Sequence, residues 1–269
     1  MPEKTKSTPF LKWAGGKRYL LPQIIPHFPT EFERYYEPFL GGGATLFQLK
    51  PKKATISDVN SILIETYNVI KNNVNELIEI LDTMIIGKTE YYEIRKSKPQ
   101  SPIEQAARFI YLNKTCWNGL YRENSSGEFN VPFGRIKKGT KLYEIENLLN
   151  TREILKNITI LNRDFQYTVQ KAKENDLIYF DPPYTTSHNE NGFIEYNASI
   201  FSWDDQLRLA KLVGVLSEKN CHVFVSNADH PAIRELYKDF KLIKIQKSSS
   251  IAGIMSNRKQ VMELLITNG

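Results

Sequence analysis

The chain has 269 residues and a mass of 31.1 kDa, of which 41% are hydrophobic, 25% charged and 12% aromatic. That composition can bury a core and excludes disorder, collagen and coiled coil, and the length suits one large domain or one domain carrying an insertion. Thirty-six basic against 30 acidic side chains leave a net charge of +6, a mild excess that permits a polyanionic partner without requiring one.

The opening MPEKTKSTPF has no apolar core of a secretory leader, and no apolar run reaches the roughly 18–20 residues that a membrane span needs. Then comes Phe10-Leu-Lys12-Trp13-Ala-Gly-Gly-Lys17-Arg18, which resembles half a phosphate-binding loop. Leu11 stands where the leading glycine should be and Arg18 replaces Ser/Thr, so a nucleotide site of that kind is not expected. A glycine turn with a solvated lysine accounts for it equally well.

From Phe32 to Ile56 the pattern reads strand, glycine turn, short helix, strand: FERYYEPF, GGG, ATLFQL, KATIS. That rhythm predicts a parallel sheet covered by helices. From Asn60 to about Asn113, IETYNVIKNNVNELIEILDTMI and PIEQAARFIYLN carry helical spacing, broken at Lys98-Pro99 and Ser101-Pro102. A glycine-rich stretch from Asn118 to Gly139 reads as hairpins or ordered loops. After Thr151 the α/β rhythm resumes, with strands predicted near Thr159–Leu161, Leu177–Phe180, Cys221–Ser226, Leu242–Lys247 and Val261–Thr267. Helices are predicted around Gln166–Lys173, Asp204–Lys219 and Pro231–Tyr237, the second opened by the capping signal Ser202-x-x-Asp205. The simplest architecture is an α/β sheet domain from residues 1–59 and 149–269, interrupted by a mostly helical insertion at 60–148.

Cys116 and Cys221 lie far apart without CxxC spacing, and four histidines without HExxH spacing suggest no metal site. A reduced, intracellular, soluble protein is expected.

The most informative stretch is Leu177-Ile-Tyr-Phe-Asp181-Pro182-Pro183-Tyr184. An apolar strand delivers a carboxylate, two prolines and an aromatic at its carboxyl end, where open α/β sheets bind ligands. The prolines supply no N–H and fix φ, so the turn is rigid and its carbonyls point outward. Asp181 and the Pro182 carbonyl then form an acceptor pair beside the flat face of Tyr184, which suits an exocyclic amino group on a planar base. In Glu37-Pro-Phe39-Leu-Gly41-Gly-Gly43 the glycines admit a ligand close to the backbone. Asp58, 17 residues beyond Gly41, suits a ribose diol, although a GGG turn alone is most often only a turn. The spacing is not GxGxxG, which disfavours NAD.

KWAGGK, EPFLGGGA, SDVN, LNKTCWNGLYR, GEFNVPFG and DPPY, in that order, resemble the Dam-type DNA adenine-N6 methyltransferases over essentially the whole chain from about Phe10. The resemblance implies a Rossmann-like AdoMet-dependent methyltransferase sheet with an inserted, mostly helical DNA-recognition domain. It implies S-adenosyl-L-methionine (AdoMet) as cofactor, S-adenosyl-L-homocysteine as product, and no metal. Trp13, Lys17, Phe39, Gly41, Gly43, Asp58, Asp164, Phe165 and Asp181 would contact the cofactor. Asp181, Pro182, Pro183 and Tyr184 would carry catalysis, with the target base flipped from the duplex and stacked on Tyr184. Neither cysteine lies in a nucleophile motif, which disfavours cytosine C5 chemistry.

On the DNA side the resemblance implies Lys12, Trp117, Asn118, Leu120, Arg122 and Pro132, within recognition hairpins or loops at about 117–139. Arg122 would read a guanine through O6 and N7, Trp117 and Leu120 would wedge into the gap left by the base, and GATC is the site suggested. Trp117 stands where Tyr is commoner in the family. Arg135, Lys137, Lys138 and Lys141, and again Lys238, Lys241, Lys244, Lys247, Arg258 and Lys259, are candidate phosphate contacts. Thr185–Ile200 is expected to order over base and cofactor, with an ordinary surface loop as the alternative. The expected partner is double-stranded DNA, with no membrane and with any cognate restriction endonuclease acting separately. The expected setting is the cytoplasm of a prokaryote or phage host, at the nucleoid. The competing readings are an RNA or protein-glutamine methyltransferase, whose tetrapeptide more often starts with Asn, and a catalytically silent DNA-binding regulator.

Overall fold

The computed structural model describes residues 7–124, 126–185, 201–247 and 261–269. Within them the predicted strands all form: β1 (Tyr35–Glu37), β2 (Ala54–Asp58), β3 (Ile158–Asn162), β4 (Leu177–Phe180), β5 (His222–Ala228), β6 (Lys241–Lys247) and β7 (Val261–Thr267). The helices are α1 (Leu21–Ile24), α2 (Ala44–Leu49), α3 (Ser61–Asn72), α4 (Val74–Thr83), α5 (Lys88–Lys96), α6 (Pro102–Thr115) and α7 (Ile145–Leu155). After these come α8 (Phe165–Thr168), α9 (Trp203–Glu218) and α10 (Pro231–Leu236).

The chain divides into two compact units. One comprises Lys17–Phe39, Lys53–Ser57 and Arg163–Gly269. Its strands hydrogen-bond in the order β2-β1-β4-β5-β7-β6. The pairs β1/β2, β1/β4 and β4/β5 are parallel, with Tyr35 opposite both Ala54 and Leu177. The predicted parallel sheet needs one amendment, because β7 runs antiparallel between β5 and β6. Strand β4 is fully buried along Leu177, Ile178, Tyr179 and Phe180, so its run is continuously apolar, as a strand covered on both faces requires. Ile178, Phe180, Val225 and Ile266 pack on one face with Phe165, Leu209 and Val213, while Tyr179 and Phe224 meet Phe28 on the other. Helix α9 begins with a complete capping box: Ser202 Oγ accepts from the Asp205 N–H at 3.2 Å, and the Asp205 carboxylate accepts from the Ser202 N–H at 2.9 Å.

The other unit comprises Met1–Gly16, Leu40–Lys52 and Asp58–Asn162. The helical spacing after Asn60 resolves into α3 to α6. Asn60 caps α3 by accepting from the Leu63 N–H at 2.9 Å. The break expected at Ser101-Pro102 coincides with the start of α6, where the second helical stretch was placed: Ser101 caps it and Pro102 occupies its first turn, where a missing N–H costs nothing. Helices α5 and α7 were not predicted: α5 buries only Tyr91, and α7 carries a weak apolar stripe. Two isolated antiparallel bridges, Cys116 with Phe133 and Glu123 with Phe129, tie the chain from Thr115 to Gly134 back on itself, with Trp117 N–H to the Pro132 carbonyl at 2.9 Å and Asn130 N–H to the Arg122 carbonyl at 3.1 Å. The predicted helix at Gln166–Lys173 is shorter than expected, since Val169 leaves helical geometry and an i to i+3 bond from Ala172 closes a turn instead.

Candidate active site

From β1 the chain passes first to β2 on one side and later to β4 and β5 on the other, so the order reverses between β1 and β4. Ligands bind beyond the carboxyl ends of strands at such a reversal. Glu37 ends β1 and Asp181 follows β4.

Lys17 Nζ lies 2.9 Å from Asp181 Oδ1 and 3.7 Å from Glu263 Oε2 on β7. Tyr184 donates its hydroxyl to Glu263 Oε2 at 2.8 Å, and the Lys17 ammonium sits 4.7 Å from the centroid of the Tyr184 ring. The Lys17 side chain is only 5% exposed, which excludes the solvated-lysine alternative. Burial pulls its pKa down, but Asp181 and Glu263 outweigh burial and the net shift is upward, so Lys17 is an ammonium. Burial, reinforced by Asp181 and Glu263, holds the Tyr184 phenol protonated far above its ordinary range. Pro182 is buried, and Asp181 is 19% exposed. The acceptor pair expected at Asp181 and Pro182 therefore includes one oxygen that already faces an ammonium.

Phe39 stacks on Phe165 at 5.4 Å between centroids, and Phe201 meets both. The Arg208 guanidinium lies 4.8 Å over Phe165, and its Nη2 donates to both Asp164 oxygens at 2.9 Å. Asp164 also accepts from the Gln166 N–H at 2.9 Å, which starts α8. Asp164 thus has protein partners on both oxygens, and Phe165 is a core residue.

In the other unit, Asp58 accepts from the Gly41 and Asn60 N–H groups, each at 3.0 Å. Burial raises its pKa despite those two bonds. Each oxygen keeps lone-pair capacity for a further hydroxyl, as a ribose diol needs. Gly41 and Gly43 have φ of +48° and +69°. A Cβ would lie 2.6 Å from Trp13 Cδ1 at Gly41 and 2.7 Å from the Tyr67 hydroxyl at Gly43. The loop is built for glycine on sterics as well as on conformation, and Tyr67 fastens it by donating to the Gly41 carbonyl at 3.2 Å. A carboxylate with spare lone pairs beside such a loop can take a pair of hydroxyls and admit a ligand close to the backbone. Trp13 stacks on Tyr121 at 6.0 Å.

Asn113 clamps the segment next to it. It accepts from the Lys12 N–H at 2.8 Å and donates to the carbonyls of Lys12 at 2.7 Å and Gly119 at 3.3 Å. This holds Lys12 against the turn of Trp117, Asn118 and Gly119. Trp117 and Leu120 are large apolar residues left exposed, 42% and 38%, and the Arg135 guanidinium lies 5.7 Å from the Trp117 ring. Arg122 is exposed and donates from Nε to Asn130 Oδ1 at 2.8 Å. Arg135, Lys137 and Lys138 are exposed. Lys141 and Lys238 are exposed and lie beside Glu144 at 3.2 Å and Glu235 at 2.9 Å. The expectations for residues 186–200, Arg258 and Lys259 lie outside the described residues.

Both cysteines are buried, and burial pushes each thiol up to about 11. Among the described residues no group of three or more His, Cys, Asp or Glu is placed to hold a metal ion, and no helix is long and apolar enough to cross a membrane. The sequence reading missed Glu263, Arg208, Tyr67 and Asn113. Of these Glu263 had a signal: one carboxylate in the apolar run Val-Met-Glu-Leu-Leu-Ile.

A family model described as D12 class N6 adenine-specific DNA methyltransferase matches residues 13–251. The chain is 40% identical to the Type II methyltransferase M1.LlaDCHI of Lactococcus lactis subsp. cremoris, over 98% of this chain and 96% of that one. It is 39% identical to the Type II methyltransferase M.MjaIII of Methanocaldococcus jannaschii, over 97% and 98%. It is 34% identical to the DNA adenine methylase of Escherichia coli (strain K12), over 97% and 95%.

Proposed function

The chain belongs to the D12 class N6 adenine-specific DNA methyltransferases, and on that premise we propose that it methylates adenine N6 within GATC in duplex DNA, on a base flipped out of the helix. The observation that carries the reading is the buried Lys17–Asp181 pair with Tyr184, set at the carboxyl end of β4 beside the reversal of strand order. That arrangement offers a carboxylate, the Pro182 carbonyl and an aromatic ring to a planar base carrying an amino group.

Asp181 and the Pro182 carbonyl would accept the two N6 protons, which draws the amino nitrogen away from conjugation with the ring. Tyr184 would stack the purine and set its plane. When bound, AdoMet supplies a methyl group on a positively charged sulfur. Asp58 would take its ribose hydroxyls, and the glycine loop at Gly41 and Gly43 would lie along its methionine part. Trp13, Phe39, Asp164 and Phe165 are proposed to shape the rest of that site. The residues contribute positioning and electrostatics, with no covalent intermediate on the protein.

We assign DNA recognition to residues 60–148. Arg122 would read guanine, Trp117 and Leu120 would fill the gap left by the base, and Lys12, Asn118, Pro132, Arg135, Lys137 and Lys138 would contact the DNA around them. Two relatives are named Type II methyltransferases, which supports a cognate restriction endonuclease acting separately on cytoplasmic DNA.

The test is incubation with AdoMet and unmethylated duplex, followed by GATC-cleaving nucleases of opposite sensitivity to adenine methylation. Protection from the one and gain of cleavage by the other is expected. DNA that is methylated elsewhere would overturn GATC, and methylation of RNA but not duplex DNA would overturn the substrate class.

A further inference from the structure

We propose that Glu263 is a positioning residue for this reaction, acting through the hydroxyl of Tyr184 to fix the plane on which the target base stacks. The proposal rests on the base-stacking reading above.

Glu263 occupies an apolar strand whose next three residues, Leu264, Leu265 and Ile266, are fully buried. Its own residue surface is 3% exposed. A carboxylate there carries a desolvation cost that a leucine would not, so its partners have to offset it. Two of its partners are the Tyr184 hydroxyl at 2.8 Å and the Lys17 ammonium at 3.7 Å. Both belong to the tetrapeptide's own surroundings: Lys17 faces Asp181, and Tyr184 is the fourth residue of the tetrapeptide.

Tyr184 has two free side-chain torsions. Pro182 and Pro183 stiffen its backbone end. At the far end the hydroxyl is tied to Glu263, and Lys17 lies over the ring. The ring is thereby held from both ends before a base arrives, and a stacked purine inherits its orientation, including the direction in which N6 points. Small misplacement of a reacting group is costly in rate. Affinity for DNA, set mainly by backbone contacts elsewhere, should not depend on this tether.

The experiment compares wild type, E263A, E263Q and Y184F on GATC duplex. E263A and Y184F cut the same hydrogen bond from opposite ends. Each should lower kcat by about tenfold with KM for DNA nearly unchanged, a modest share of what misplacement can cost. E263Q, whose amide carbonyl still accepts from Tyr184, should recover most of the rate. In the Y184F background, where no hydroxyl remains to hold, E263A should cost less than about twofold more. A duplex with 2-aminopurine at the target position gives a second readout: the lifetime component of the stacked probe should shrink alike in E263A and Y184F. Wild-type kcat in Y184F overturns the proposal even if E263A fails to fold, and so does an equal E263A loss in both backgrounds. Wild-type enzyme that neither methylates duplex DNA nor alters the probe lifetimes removes the base-stacking reading itself, whereas a wild-type signal that both variants keep removes Glu263 alone.

Discussion

Replacing Asp181 does two separable things, because its carboxylate faces both the site and Lys17. D181A should reduce turnover by at least about a hundredfold, the scale set by losing a group that acts on the reacting atoms. It also strips the main partner from an ammonium that is 5% exposed. Removing one partner of an isolated buried pair costs about 3–5 kcal/mol. Glu263 still faces Lys17 at 3.7 Å, so a smaller loss, about 1–3 kcal/mol, is expected by urea denaturation. K17M/D181A should regain part of that stability and none of the activity. The cysteines give the opposite test. With both thiols pushed up to about 11, the thiolate fraction at pH 8 is about one in a thousand before burial slows access further. Folded protein should therefore keep its activity through incubation with N-ethylmaleimide, followed by counting modified thiols by mass. Rapid inactivation together with single-site labelling would show that a cysteine serves the reaction. At this scale Asp181 and Tyr184 were legible because prolines and a carboxylate at the end of an apolar strand are costly without a use. Lys17 was visible only as a glycine-flanked cation and Glu263 only as a carboxylate in an apolar run, while the partners of Glu263 and Arg208, Tyr184 and Asp164, were hidden because they are 79 and 44 residues away.

Elements were legible wherever burial imposed a period. Strands β4 and β7 form over the residues predicted, and α9 starts at its capping signal. Helix α5 escaped because Tyr91 is its one buried residue, its weight carried by a hydrogen bond to the Val131 carbonyl at 2.7 Å. The last turn of α6 contains a further consequence of packing. Lys114 is lowered to about 8, first by burial and then by the nearby Lys12 charge. An unfolded lysine titrates near about 10.4. Between about pH 8 and 10 the unfolded chain therefore holds a proton that the native chain lacks, and stability from this group rises with pH across that window. Below about pH 8 both states are protonated and the full cost of the buried charge is present. K114M removes that cost. The urea midpoint of wild type should thus lie below that of K114M at pH 7 and close the gap by pH 10. A gap that stays constant over this range would show that Lys114 titrates at its ordinary value.

For the molecule as a whole, a net charge of +6 matters less than where the free cations lie. Lys141 and Lys238 looked like phosphate contacts in the sequence, and each lies beside a carboxylate, Glu144 and Glu235, in an exposed pair worth little. Patterning alone could not show this, since a run of charges does not reveal its partners. Arg135, Lys137 and Lys138 remain exposed, and so does Arg122, with Nε on Asn130. Two kinds of contact are then distinguishable by what salt and sequence do to them. A phosphate contact releases counterions, so removing one flattens the dependence of log affinity on log salt by about 0.9. A base contact discriminates, so removing it relaxes preference at one position for about 1–3 kcal/mol. K137A/K138A should accordingly weaken GATC and unrelated duplexes by similar factors and reduce the salt slope by about 2. Arg122 already has its Nε committed to Asn130, which fixes the guanidinium plane and leaves the terminal nitrogens for two parallel bonds to a guanine edge. R122A should therefore narrow the gap between GATC and its guanine-substituted variants while changing the slope little. Titrations of each variant at several salt concentrations, on cognate and single-substituted duplexes, measure both quantities together. An R122A protein that loses slope but keeps its site preference would place Arg122 on the phosphates and leave the guanine to another residue.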